Sequence, residues 1–89
     1  MKILFSKKFN KQYHKADKKI QTAFSLRLQI FMKDPHNPRL RLHQLSGKFS
    51  DFQSINITGD WRALYSEQKD GDGSIILFEA LGTHAQLYK

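Results

Sequence analysis

FQSINITGDWRALY, residues 52–65, is the stretch on which the reading of this chain turns. Phe52 to Ile57 alternates apolar and polar side chains, the period of a strand with one buried face. Thr58-Gly59-Asp60 is a tight turn, and Trp61 to Tyr65 is the returning strand. Outward from this hairpin the same period continues. Leu40, Leu42 and Leu45 lead towards Gly47 on one side. On the other, Lys69 to Gly73 forms a second turn before Ser74 to Glu79. That last run is the most continuously apolar of the chain and is expected to be the central strand of a sheet.

The first half follows a different period. Lys2 to Phe5 reads as a short strand, and Ser6 as the N-cap of a helix. Phe9, Tyr13, Ala16 and Ile20 fall at i, i+4, i+7 and i+11, one apolar face. Lys8, Lys11, Lys15 and Lys18 fall on another. Asp17 is placed to cap a second helix whose inner face is Ile20, Phe24, Leu28 and Phe31; one long helix with a bend fits the pattern as well. Asp34-Pro35-His36-Asn37-Pro38 ends the helical region, because each proline restricts its predecessor and lacks an amide hydrogen. The expected fold is α+β: a small twisted antiparallel sheet with two N-terminal helices packed on one face. With no linker, repeat or low-complexity tract, residues 1–89 are expected to form one domain.

A chain of 89 residues has a modest core. It has no cysteine, so neither disulfides nor thiolate metal sites supplement that core. Seven Phe, three Tyr and one Trp must supply much of it. The apolar run at the start, Ile3 to Phe5, is too short for a signal peptide, and no later segment approaches a membrane span. The expected location is the cytoplasm. Charge is unevenly placed. Residues 1–41 hold eleven Lys/Arg and two Asp, a balance of +9, whereas residues 42–89 hold four Lys/Arg and six Asp/Glu, a balance of −2. Such a field favours a polyanion or an acidic partner, although a lysine-rich helix face also serves plain solubility.

Several kinds of chemistry are excluded by pattern. Asp70-Gly71-Asp72-Gly73-Ser74 resembles the opening of a calcium loop, but Ile75 stands where the loop glycine belongs and Leu81 where the closing carboxylate belongs. No phosphate-binding glycine loop, dinucleotide fingerprint or nucleophile elbow is present. His14, His36, His43 and His84 lack paired metal-ligand spacing, so no metal and no cofactor are expected. What remains is a set of polar residues near strand ends: His43, Asp60, Arg62 and His84. Asp60 and Arg62, two apart, are expected on one face of their strand. In an antiparallel meander the start of the Asp60 strand lies near the end of the next strand, beside Gly82-Thr83-His84. A histidine, an arginine and a carboxylate gathered there suit acid–base work on a phosphodiester. Each also has a plainer reading, as a surface histidine or a surface ion pair.

His43-Gln-Leu45-Ser-Gly47, Asp60-Trp61-Arg62-Ala-Leu-Tyr65 and Gly82-Thr83-His84-Ala-Gln-Leu87-Tyr88 together resemble the RelE/ParE superfamily of bacterial toxins, nearest the YafQ-like mRNA interferases. The resemblance implies a type II toxin that cleaves mRNA on the ribosome and is silenced by a cognate antitoxin, an acidic protein encoded alongside, in a hetero-oligomeric complex. It implies that the RNA 2′-hydroxyl attacks the adjacent phosphate. In that scheme His84 matches the general acid, Asp60 and His43 match positions serving proton abstraction and its support, and Arg62 is a candidate for phosphate stabilisation. Trp61 reads either as a core aromatic or as a base-stacking platform, and Tyr88 likewise. The lysines Lys8, Lys11, Lys15 and Lys18 are expected along ribosomal RNA. Two departures stand out: Asn56 replaces a histidine of the branch, and Ala80 an arginine. The same fold also carries ParE-like toxins that act on DNA gyrase without nuclease activity, and a catalytically inactive RNA-binding module is a third reading.

Overall fold

The computed structural model describes residues 1–88. Strand β1 (Lys2–Phe5) leads into helices α1 (Lys7–Lys15) and α2 (Lys18–Lys33). A 3-10 turn at Pro38–Leu40 precedes the short strand β2 (His43–Gln44), and a second at Gly47–Phe49 precedes β3 (Gln53–Thr58). The long strands β4 (Trp61–Asp70) and β5 (Gly73–Thr83) follow, and one helical turn, α3 (His84–Leu87), closes the described chain.

The two helices are separate because the backbone of Ala16 and Asp17 is extended. Asp17 Oδ1 accepts the Ile20 N–H at 3.0 Å, which starts α2. Gln21 Nε2 then donates to the carbonyls of Tyr13 (2.8 Å) and Ala16 (3.3 Å), clamping the joint. The break has a consequence for the basic face. Lys8, Lys11 and Lys15 share α1, but Lys18 opens α2, so the four do not form one helical stripe.

Both helices lie on one face of a five-stranded sheet of order β1-β5-β4-β3-β2. The expected antiparallel sheet is corrected here: β2 to β5 are antiparallel, but β1 runs parallel to β5, with Lys2 opposite Ile75 and Phe5 opposite Phe78. Alternation marks a strand without marking its neighbour, and the partner of β1 lies at the far end of the chain. The middle strand is β4; β5, expected at the centre, has partners on both sides but stands one place off it.

An aromatic cluster fills the interior. Phe9 and Phe24 lie 5.1 Å apart by ring centroid, Phe24 and Phe78 5.4 Å, and Phe31 and Tyr65 5.1 Å. Ile55, Ile57, Ala63 and Leu81 complete it from the sheet. A bulge makes this possible. Leu64 pairs with Ala80 and Tyr65 with Phe78, so Glu79 is an extra residue. The parity of β5 switches there. Phe78 and Leu81 therefore both reach the core, while Ala80 and Gly82 lie in register with Leu64 and Arg62 on the face away from the helices. Beyond β1 the rim of β5 is finished by side chains. The Ser6 hydroxyl donates to the Glu79 carbonyl at 3.0 Å, and Gln12 Oε1 accepts the Leu81 N–H at 2.7 Å.

Candidate functional site

The helix-free face of the sheet holds the candidate side chains in register rows. Asn56, Arg62 and Gly82 form one row across β3, β4 and β5. His43, Ser54, Leu64 and Ala80 form the next, from β2 to β5. Opposed residues of neighbouring strands share a face, so both rows look the same way.

His84 is positioned by the end of β5. Thr83 caps α3: its Oγ1 accepts the Gln86 N–H at 3.3 Å, and Gln86 Oε1 accepts the Thr83 N–H at 2.9 Å. This reciprocal pair is a capping box, a pattern that Thr83-His-Ala-Gln86 carries in its sequence. The His84 N–H donates to the Asp60 carbonyl at 3.1 Å, which ties the turn before β4 to the first residue of α3. The exposed imidazole stands 4.7 Å from the Tyr88 ring by centroid, and Tyr88 meets the edge of Phe49 at 5.5 Å. Phe49 carried no signal in the sequence. Its part here comes from the Gly47–Phe49 turn folding under the tail.

Asp60 and Arg62 are neighbours, but not as alternation along a strand implied. Asp60 lies in the turn and is exposed, ahead of the first residue of β4. Arg62 Nη1 donates to the carbonyls of Gly59 (3.0 Å) and Trp61 (3.1 Å). The Asn56 amide approaches the same Gly59 carbonyl at 3.5 Å. Gly59 adopts φ +52°, which suits glycine at that tight turn. Trp61 is half-buried and packs against the core, on the opposite face from Arg62.

His43 stands apart. It lies on β2, three strand spacings from β5, about 14 Å of backbone at roughly 4.8 Å per strand. Its Nδ1 lies 3.5 Å from the Arg41 carbonyl. The structure thus gathers Asp60, Arg62 and His84 at one end of the face, and places His43 across a floor of Ser54 and Leu64. A cavity of about 150 Å³ opens on that floor beside Ala80 and is lined by Lys8, Gln12, Phe49, Leu64 and Glu79 among others. Lys8 therefore reaches the candidate face from α1. Lys11, Lys15 and Lys18 are exposed. One basic group went unremarked in the sequence: Arg27, Arg39 and Arg41 line one cleft at the β2 side of this face.

A sheet of this order with two helices over one face defines the class. It is the fold of the RelE/ParE-type toxins. The structure of YafQ from Escherichia coli BL21(DE3) matches it with a TM-score of 0.81 at 20% identity, over 98% of this chain and 97% of that one. A YoeB/ParE toxin from Agrobacterium tumefaciens matches with a TM-score of 0.77 at 16% identity, over 94% and 99%. YafQ in the E. coli DinJ–YafQ complex matches with a TM-score of 0.69 at 21% identity, over 98% and 97%. At these identities the likeness shows the fold. The family follows from sequence: the model for YafQ, a bacterial toxin of type II toxin-antitoxin systems, matches residues 1–89, and the chain belongs to that family. No curated protein matches the chain. Among the described residues, no helix is long and apolar enough to cross a membrane.

Proposed function

We propose that this toxin is a ribosome-dependent mRNA endoribonuclease, built as a single domain over residues 1–89 and acting in the cytoplasm. The observation that carries the reading is the backbone bond that fixes His84 against Asp60, with Arg62 in the adjacent register. The 2′-hydroxyl oxygen attacks the adjacent phosphorus, and the bond from phosphorus to the 5′-oxygen breaks. Asp60 or His43 receives the 2′-hydroxyl proton, and His84 delivers a proton to the departing 5′-oxygen. The products are a 2′,3′-cyclic phosphate and a 5′-hydroxyl. A protonated imidazole carries an N–H that can be handed to a departing alkoxide, which suits a histidine to that role. Arg62 stabilises the charge that builds on the phosphorane. It stands in for the cation that Ala80 lacks, on the strand beside it. Tyr88, held against His84, offers a ring to a neighbouring base. Trp61 packs against the core, so its contribution is to hold the Asp60 turn in place.

Lys8, Lys11, Lys15 and Lys18 contribute phosphate contacts on the ribosome. Charge reversal at Lys11 and Lys15 should weaken ribosome binding more at low salt than at high salt. The E. coli relative is seen in complex with DinJ. We extend that to this chain as a cognate acidic antitoxin in a hetero-oligomer, which the basic first half suits. Action on gyrase, or plain RNA binding, would not call for a proton-transferring pair at His84 and Asp60.

The test is cleavage of a translated reporter message by purified toxin and ribosomes. In-frame cuts ending in 2′,3′-cyclic phosphate support the reading. Intact message would overturn it.

A further inference from the structure

Two clefts lie end to end beside the candidate face. One, of about 620 Å³, runs along α2 and is lined by Ala23, Leu26, Arg27, Lys33, Arg39 and Ile57 among others. The next, of about 570 Å³, is lined by Arg27, Pro38, Arg39, Arg41, Asn56 and Gly59. They share Arg27 and Arg39, and among the described residues no Asp or Glu lines either. Three arginines thus line the second cleft, with no acidic side chain beside them among the described residues. The mutual repulsion of such a cluster is relieved by an anion.

The arginines are arranged by the backbone. Arg27 Nε donates to the Ile57 carbonyl at 3.1 Å, and Nη1 to the Arg39 carbonyl at 3.1 Å. Ile57 is skipped where the β3–β4 register shifts. These bonds fix the half-buried fork of Arg27 and leave Nη2 available. Arg41 is the one non-glycine residue with positive φ among those described, at 47°. That left-handed geometry closes the Pro38–Leu40 turn, whose end donates from Arg41 N–H to the Pro38 carbonyl at 3.2 Å. A non-glycine residue held there is strained, and strain of this kind gathers at ligand sites.

The cleft opens on the candidate site. Asn56 belongs to both, since it pairs with Arg62 and lines the cleft. Gly59, which accepts from Arg62, lines it too. The Arg41 carbonyl faces His43 Nδ1. We propose that the cleft of Arg27, Arg39 and Arg41 is a phosphate-binding track for single-stranded RNA, carrying the strand that flanks the scissile bond past Asn56. This rests on the nuclease reading and adds to it the route of the substrate.

The experiment is binding of a short 2′-O-methyl single-stranded oligonucleotide, followed across a salt series. The variant is Arg39→Ala with Arg41→Gly, in a His84→Ala background. Glycine adopts the φ of position 41 freely, and the Arg39 carbonyl that holds Arg27 is kept, so the fold is preserved. A charge-matched control is Lys2→Ala with Lys69→Ala. The expected result is an affinity lower by on the order of tenfold or more at moderate salt. The salt slope should fall by roughly 1.4, about 0.7 for each of two phosphates. The control should stay near the parent. An unchanged slope, an equal loss in the control, or loss of antitoxin binding with RNA binding intact would overturn the proposal. The oligonucleotide cannot be cut, so this outcome is separate from that of the cleavage assay: failure of the nuclease reading shows as intact message with the wild type.

Discussion

The amide of His84 and the carbonyl of Asp60 are joined by a hydrogen bond of 3.1 Å. Through it, the turn that opens β4 and the helical turn that follows β5 move as one piece. The side chains on either side of that bond belong to the proposed acid, His84, and to one of the two proposed bases, Asp60. Their relative position is therefore set by main chain and is insensitive to rotamer changes elsewhere on the face.

Gly82 tests how much that setting matters. A Cβ there would lie 3.0 Å from Gln86 Oε1 and 3.4 Å from both Gln86 Cβ and Leu87 Cδ2. Gln86 can swing aside only by giving up its bond to the Thr83 N–H, which is half of the capping box. Gly82→Ala is expected to cost about 1 kcal/mol in denaturant melts, the usual worth of a cap. It should lower message cleavage by more than that cost explains, because the α3 turn that carries His84 is displaced. Gln86→Ala should show the same direction more weakly. Cleavage at the wild-type rate in Gly82→Ala would show that the placement of α3 is unimportant.

Arg62→Ala should lower the cleavage rate by on the order of 100-fold, the range seen when one group stabilising a transition-state charge is lost. Arg62→Lys should recover only part of it, since a lysine cannot present the two-pronged fork. Single-turnover cleavage on ribosomes is the measurement. An unaltered rate in Arg62→Ala would remove arginine from the mechanism and leave Lys8, at the cavity beside Ala80, as the cation to examine.

The hairpin of residues 52–65 was legible because alternation, a glycine turn and aromatic returns coincide there. The helices were legible from Phe9, Tyr13, Phe24 and Phe31 at helical spacing. Asp17 was legible as a cap, but whether the chain bends or breaks there was decided by Gln21 reaching back to Tyr13 and Ala16, a tertiary clamp. The parallel pairing of β1 could not be read, because nothing in Lys2 to Phe5 specifies Ile75 to Phe78. The Glu79 bulge was equally hidden, and with it the assignment of Ala80 and Leu81 to opposite faces. At the site, the meander alone placed Asp60 and Arg62 near His84. The distance of His43 from them depends on strand order, and the arginine cleft on a turn, Pro38–Leu40, that the sequence showed only as a helix stop.

Ser54 offers a simpler check of the face. Its hydroxyl is buried and has no hydrogen-bond partner among the described residues. Burying an unsatisfied hydroxyl costs about 1–3 kcal/mol, so Ser54→Ala should leave stability unchanged or raise it by up to about that amount. Thermal and denaturant melts measure it. A clear loss of stability would show that the hydroxyl has a partner, such as a buried water.

Tyr65 gives the fold an alkaline limit. Burial, with a smaller push from the Glu67 carboxylate, raises its hydroxyl from 10.0 to about 12. The hydroxyl also donates to Gln53 Oε1 at 3.0 Å. In the unfolded chain the proton leaves near 10, so the protonated form favours the folded state. Its contribution is fully present below pH about 10 and is lost as the pH rises through about 12. Melts between those values should show falling stability in the wild type and a flatter profile in Tyr65→Phe. Equal slopes would place the alkaline transition elsewhere.

The most direct measurement is induced expression of the wild type and of His84→Ala, with growth followed alongside primer extension on a translated reporter message. His84 is exposed, so the substitution should leave the fold intact, and loss of a general acid costs on the order of 10²–10⁴ in rate. The account predicts growth arrest with in-frame cuts in the wild type, and neither in His84→Ala. Arrest by both proteins without cuts in the message would contradict it and point to a target other than mRNA.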